Sequence, residues 1–496
     1  MNFMELLEKQ TNVAITENGA IGYKTTFNPL LDFNFKVPSY RYLPTQSLEA
    51  EIKNLIANTT DFESFYRYLF FLRDVRGGMG ERRIFRETLR LLALKGRQEV
   101  KALIPLVADY GRFDDLFSLK GTPFEEDMVD YIKSTYLSDL MSMSTGKKVT
   151  LLAKWLPSIN ASCKETRNLA KWFMGHFKES PKSYRQHLSS LRKYANVVEN
   201  QISRGDFASI VYESVPSKAN LRYADLFMKM DRERRCKFLE QVAKGEKKLK
   251  SSTLFPQDII SRVRQRQMSA TELQSLWSGL RDFGDIRNVL VVVDVSGSMY
   301  SPVDSNTVAL DASVGLGAYF AERNTGAFKD KIVTFSEKPE LVDLSACDNI
   351  VDKYNYMCKA NWGMSTNIEA VFDLVLETAK ANKCSQEEIP SILIISDMEF
   401  NACSRHREYD FETISQKFKD CGYSLPKLSF WNVAGRTNTI PVIQNELGVA
   451  LISGYSPASI GAVMSAKFDP YQALLDCINV ERYDKVAETI KDYVKA

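Results

Sequence analysis

Asn288-Val289-Leu290-Val291-Val292-Val293-Asp294-Val295-Ser296-Gly297-Ser298-Met299 is the stretch whose reading decides the fold. Its apolar run shows no polar alternation, so it reads as a central strand covered on both faces, as in an α/β sheet. The run stops at Asp294, and Asp-x-Ser-x-Ser then sets one carboxylate and two hydroxyls on a short loop. That loop leaves the carboxyl end of the strand, the edge at which open α/β sheets bind ligands. Oxygen donors without His or Cys suit a hard cation such as Mg²⁺.

Downstream, strands and helices alternate. Ala312 to Arg323 reads as a helix, 331–335 as a strand, Ile368 to Ala381 as a helix and 391–395 as a second apolar strand ending in Ser396-Asp397. A helix from Tyr409 to Lys419, strands at 428–433 and 449–452, and helices from Pro457 and Pro470 complete the chain. The pattern predicts a doubly wound parallel sheet over residues 286–496. Asp397 then leaves a strand at the same edge as Asp294, and the loop Gly363-Met364-Ser365-Thr366-Asn367 brings a further hydroxyl.

Upstream, residues 1–285 read as an all-α domain. Residues 1–50 are weakly patterned, with turn signals at Asn18-Gly19 and Asn28-Pro29. From about Leu48, helical segments recur with short Gly, Pro or Ser breaks, and Gly77-Gly78-Met79-Gly80 marks a corner between two of them. Many short helices joined by tight turns predict a helical-repeat array, although no fixed period is visible.

Charge divides at the same place. Residues 1–286 hold 45 Lys+Arg against 34 Asp+Glu, and the remainder holds 20 against 28. The surplus lies in residues 151–266, with 24 against 11. Lys164, Arg167, Lys171 and Lys178 share one side of a predicted helix, Arg185 and Arg192 are seven apart on the next, and Arg204 follows. Arg232, Arg234, Arg235 and Lys237 form a further cluster. Repeated cations can track a phosphate backbone, with Trp155, Trp172 and Tyr184 as stacking faces. A solvated helix face with those aromatics in the core is the competing reading.

Other classes are disfavoured. The chain of 496 residues has eight cysteines without a Cys-x-x-Cys pair and three histidines. That composition speaks against a disulfide frame, zinc hydrolysis and Ser-His-Asp catalysis, and no nucleophile–base pair is evident. Met1 to Glu5 carries no basic flank or apolar core, and no segment approaches membrane-spanning length, so a cytoplasmic protein is expected.

Several further motifs carry a resemblance. They are Leu72-Arg73-Asp74-Val75-Arg76-Gly77-Gly78-Met79-Gly80-Glu81-Arg82, Tyr110-Gly111-Arg112-Phe113-Asp114-Asp115-Leu116, Lys154-Trp155-Leu156-Pro157-Ser158, and Ser396-Asp397-Met398-Glu399-Phe400. With Glu17-Asn18-Gly19-Ala20, Val215-Pro216-Ser217-Lys218-Ala219 and Phe430-Trp431-Asn432-Val433, they resemble an uncharacterised family of bacteria, phages, giant viruses and plants. Its order of parts is similar to the TROVE–vWA proteins, the Ro autoantigen ribonucleoproteins.

The resemblance implies a HEAT-like helical ring over 1–285 and a Rossmann-like von Willebrand factor A (vWA) domain over 286–496. It implies a metal-ion-dependent adhesion site of Asp294, Ser296, Ser298, Thr366 and Asp397 that holds Mg²⁺ and docks a protein partner. Where the family has Gly-Gly-Thr-Asp, this chain reads Gly-Met-Ser-Thr-Asn, so Ser365 competes with Thr366 for the ligand position. The function implied is binding of small non-coding or misfolded RNA by a monomeric, non-enzymatic protein. The alternatives are a protein–protein adaptor that captures a carboxylate at the metal, or a phage structural or defence component.

Overall fold

The computed structural model describes residues 11–284, 286–304, 306–360, 366–400, 410–443, 448–463 and 469–494. The Met1–Glu5 start, Gly363, Met364, Ser365, Cys403 and His406 lie outside them. Among the described residues, no helix is long and apolar enough to cross a membrane. The chain has an N-terminal helical region and a C-terminal mixed sheet. It forms two compact units, each assembled from two segments.

The sheet unit comprises residues 1–60 and 251–480. Its strands are β1 (Val13–Ile15), β2 (Ile21–Tyr23), β3 (Val289–Val293), β4 (Lys331–Thr334), β5 (Leu341–Asp343), β6 (Ser391–Ser396), β7 (Leu428–Asn432) and β8 (Val449–Ser453). The last six form one sheet in the order β5-β4-β3-β6-β7-β8. Every neighbour pair is parallel except β4 and β5. The sheet is therefore mixed, not wholly parallel as the alternation suggests. β5 is three residues long and follows β4 by a tight return, too short for a periodicity signal. The strands β3, β7 and β8 are buried throughout, which accounts for their continuous apolar text.

Helix Ala309–Arg323 lies directly on β3. A Cβ on Gly317 would come within 2.5 Å of the Val293 side chain, so the helix approaches the strand only where the residue is glycine. Helix Pro256–Gln265 packs on Ala309–Arg323, and Arg264 clamps Asp311 at 2.8 Å across that contact. Residues 11–60 join the same unit. The β1–β2 hairpin bonds through Tyr23 to Ile440, and helix Pro29–Tyr40 packs on β8.

The helical unit comprises residues 61–250 and 481–496. Helices Phe62–Arg73 and Arg83–Leu94 flank the Gly-rich corner. A Cβ on Gly78 would sit 1.9 Å from the Phe71 carbonyl oxygen, so the corner closes only without a side chain. At its base lies a buried ion network. Arg73 and Asp115, both almost fully buried, pair at 2.7 Å, and Arg86 reaches the second Asp115 oxygen at 2.6 Å. Arg73 of the Leu72–Arg82 motif and Asp115 of the Tyr110–Leu116 motif are thereby explained as architecture.

The sequence divides the chain once, at 285/286. The compact units divide it three times, after residues 60, 250 and 480. Counted by unit, the helical unit holds 40 Lys+Arg against 28 Asp+Glu, a balance of +12. The sheet unit holds 25 against 34, a balance of −9, and together they recover the net +3. The charge contrast survives the redrawn boundary.

Candidate functional site

The sheet order reverses direction between β3 and β6. From β3 the chain continues outward to β4 and β5, and from β6 it continues the other way to β7 and β8. Ligand crevices in open α/β sheets form at such a switch point, at the carboxyl ends of the strands. Asp294 and Asp397 follow β3 and β6 there. The register pairs Val293 with Ile395, so Asp294 falls beside Ser396.

Both carboxylates are buried, Asp294 at 0% and Asp397 at 1% exposure. Asp294 accepts from the Ser296 backbone N–H at 2.8 Å and from the Ser396 hydroxyl at 2.6 Å. Burial, then the nearby Asp397, pushes the Asp294 carboxyl well above the usual carboxylate range. Burial raises Asp397 as well. The Ser296 and Ser298 hydroxyls lie 3.0 Å apart on the β3 loop. Asp397 accepts the Glu399 N–H at one oxygen, 3.2 Å away. Its other oxygen, Oδ2, is buried without a hydrogen-bond partner.

Thr366 is buried and donates its hydroxyl to the Glu399 carbonyl at 3.1 Å, which ties its loop to the segment after β6. The two Asp, Ser296, Ser298 and Thr366 thus gather around the ends of β3 and β6. Two buried carboxylates and three hydroxyls make a set of hard oxygen donors of the kind that could hold a divalent cation. Met398, directly after Asp397, has φ +64°, a left-handed conformation uncommon for a side-chain-bearing residue. It turns the chain sharply between Asp397 and Glu399.

Sequence reasoning missed the framework around this site. Glu399, 1% exposed, accepts hydrogen bonds from the backbone N–H groups of Glu17, Arg436 and Thr437 and from the Thr437 hydroxyl. It is a tie point for the hairpin turn and the 436–437 loop. Asn18 donates to the Glu399 carbonyl, and Thr16 to that of Phe400. The Arg436 guanidinium bridges Glu17 at 2.6 Å and lies 3.6 Å from Asp397 Oδ2. The motif Glu17-Asn18-Gly19-Ala20 was visible in the sequence, yet nothing local relates it to residue 399.

Lys164, Arg167 and Lys171 lie on helix Lys164–Phe177 of the helical unit, and Arg185 and Arg192 on helix Pro181–Tyr194. Lys178 departs from the expected helix stripe: it caps the first helix in a left-handed conformation, φ +56°, and Arg204 caps a later helix. Lys164, Lys171, Lys178 and Arg185 are exposed. Arg167 is half-buried and donates to the Ala161 and Ser162 carbonyls. Arg192 departs from the expectation. Its guanidinium donates to the Ala153 and Leu156 carbonyls and the Ser158 hydroxyl, each at 2.7 Å, so it braces the Lys154–Ser158 segment. Exposed Arg204 donates to the Ser189 hydroxyl. Of the stacking candidates, Tyr184 is fully buried and bonds Pro157, whereas Trp155 and Trp172 are half-buried. Arg235 of the further cluster is also core, with its guanidinium 5.0 Å from the Tyr212 ring centre.

Comparison with known proteins adds sequence relatives without an assigned activity. Residues 288–492 match a domain of unknown function (DUF7788), and residues 175–282 match a second one (DUF2828). The chain is similar to the uncharacterized protein L728 of Acanthamoeba polyphaga mimivirus, at 27% identity over 94% of this chain and 87% of that protein. The first match begins at the strand that leads into Asp294 and runs past residue 480 into the helical unit.

Proposed function

We propose that this is a non-enzymatic RNA-binding protein of the TROVE–vWA kind, with a HEAT-like helical part and a vWA-like sheet unit. The observation that carries the RNA reading is the +12 balance of the helical unit, with Lys164, Lys171 and Arg185 exposed on consecutive helices and Lys178 exposed at the cap between them. Cations so spaced neutralise phosphates whatever the base sequence, which suits small non-coding or misfolded RNA. The triple variant K171E/K178E/R185E is expected to weaken binding of single-stranded RNA at least tenfold across unrelated sequences. The slope of log affinity against log salt should also become shallower. Unchanged affinity in a filter-binding titration would sink the RNA assignment.

In the same reading Asp294, Ser296, Ser298, Thr366 and Asp397 hold Mg²⁺ or another hard divalent cation. The bound ion supplies a positive charge able to take an acidic group from a protein partner. Arg436 competes for the same carboxylate oxygen. Arg436→Ala removes a like charge 3.6 Å from Asp397 and is expected to tighten Mg²⁺ binding. With solvent screening the gain is ~1 kcal/mol, about fivefold. Calorimetric titration with MgCl₂ checks this, and equal or weaker binding in the variant counts against the site.

The acidic sheet unit, with its buried oxygen donors, equally suits the adaptor alternative, in which both parts hold protein. The absorbance ratio of purified protein separates the two, because only the first predicts co-purifying nucleic acid.

A further inference from the structure

Within the helical unit lies a cavity of about 620 Å³, in the size range of small-molecule sites. It is lined from five separate segments of chain. Arg82 precedes helix Arg83–Leu94, and Arg112 precedes the turn at Phe113–Leu119. Lys154 and Trp155 end a short helix, and Lys218, Arg222 and Tyr223 come from helix Ser217–Met230. Glu199 is the one acid on the wall, and it is already paired with Lys154 at 3.0 Å. Arg192 also borders the cavity, but its N–H groups are spent on the Lys154–Ser158 segment.

This concentration of cations is costly by itself. Lys218 and Arg222 stand four apart on one helix face, a spacing at which like charges destabilise the helix. Half-buried Arg112 reaches no carboxylate at ion-pair distance among the described residues. Its guanidinium lies over the Trp155 ring, 4.5 Å from the centre. Burial, with Arg82 and Arg73 adding like charge, lowers the Arg112 pKa against the pull of Asp114 and Asp115. An anion in the cavity would compensate Arg112. The geometry of a guanidinium favours a bidentate oxyanion, and a phosphate is the small oxyanion that uses several guanidiniums at once. The half-buried ring of Tyr223 on the same wall adds a flat apolar face next to those charges. Charge for a phosphate beside an aromatic face is the complement of a nucleotide.

We propose that this cavity binds the phosphate monoester of a nucleotide, with Arg82, Arg112 and Arg222 on the phosphate and Tyr223 beside the base. The site is separate from the exposed helix stripe and does not depend on it. The nucleotide could be free or the phosphorylated end of a nucleic acid strand, and the chemistry recognised is the same.

The test is calorimetric titration of the full chain with adenosine, adenosine 5′-monophosphate, and a short oligoadenylate bearing either a 5′-phosphate or a 5′-hydroxyl. The monophosphate is expected to bind roughly tenfold or more tightly than adenosine, for one or two charge-assisted bonds gained. Preference for the 5′-phosphorylated oligomer over its hydroxyl form would identify strand ends as the source. Preference confined to the mononucleotide would identify a free nucleotide. Arg222→Glu, at an exposed position, should abolish the phosphate preference without lowering the melting temperature. Arg112→Lys, which keeps the charge and loses the planar fork, should weaken it in part. Equal affinity for adenosine and its monophosphate, together with no end preference, would overturn the proposal. So would an Arg222→Glu protein that keeps full preference. The stripe is read separately, from the loss of 5′-hydroxyl oligomer binding in K171E/K178E/R185E, so the two readings can fail separately.

Discussion

Deletion of residues 481–496 is expected to unfold the helical unit while leaving the six-stranded sheet intact. The segment supplies Tyr483 from the turn Glu481–Tyr483 and Val486 and Ile490 from helix Asp484–Val494, all at 0% exposure, and that helix packs on helices Phe62–Arg73 and Gln98–Leu103. Burial of three such side chains contributes ~5–8 kcal/mol. Arg482 also pairs with Asp74 at 2.8 Å, and the Tyr483 hydroxyl donates to that carboxylate and to the Gly77 carbonyl. Deletion removes these partners of Asp74 and opens its carboxylate to water. The lost burial alone is comparable to the whole stability of a domain, ~5–15 kcal/mol. Hydrogen exchange with mass spectrometry would read the outcome. Amides of Phe62–Arg73 and Gln98–Leu103 should lose protection, and those of β3 and β6 should keep it. Retained protection in the helices would mean that the terminal segment is dispensable.

Glu399→Gln is expected to be among the most damaging single substitutions in the sheet unit. The carboxylate is surrounded by donors from Glu17, Arg436 and Thr437. An amide keeps one acceptor oxygen and turns an N–H₂ group toward the remaining donors. Hydrogen bonds to a charged group contribute ~1.5–3 kcal/mol each, and a buried donor left unmatched costs a further ~1–3 kcal/mol. A loss of ~3 kcal/mol or more follows, read as a lower urea midpoint for the sheet transition. Because the chain has two units, unfolding must be followed by a probe local to the sheet, and exchange protection of the β6 and β7 amides provides one. Loss of exchange protection at Glu17, Arg436 and Thr437 would locate the damage. An unchanged midpoint would show that the hairpin contact contributes little.

Glu399 also shows where local text stops being informative. Its contact with Glu17 spans 382 residues, and that of Arg482 with Asp74 spans 408. No hydrophobic period or capping signal can register such pairs. The turn at Asn18-Gly19 was readable because Gly19 adopts φ +91°, but the docking of its hairpin on the segment after β6 was not. In the same way Arg192 and Arg235 have cationic spacing but are spent internally, since spacing reports which helix face a residue occupies and not what packs on that face.

By itself, the sequence determined the local elements around Asp294: buried strands, a polar loop at their carboxyl ends, helices between them, and an uneven division of charge. These follow from periodicity, side-chain shape and counting, all of which act within a few residues. Only the tertiary structure decided that β5 runs antiparallel, that residues 11–60 complete the sheet unit, and that the C-terminal helix completes the helical one. It also brought Arg82, Arg112 and Arg222 around one cavity. The physical reason is that burial and ion pairing reward proximity in space, and chain order does not enter either term.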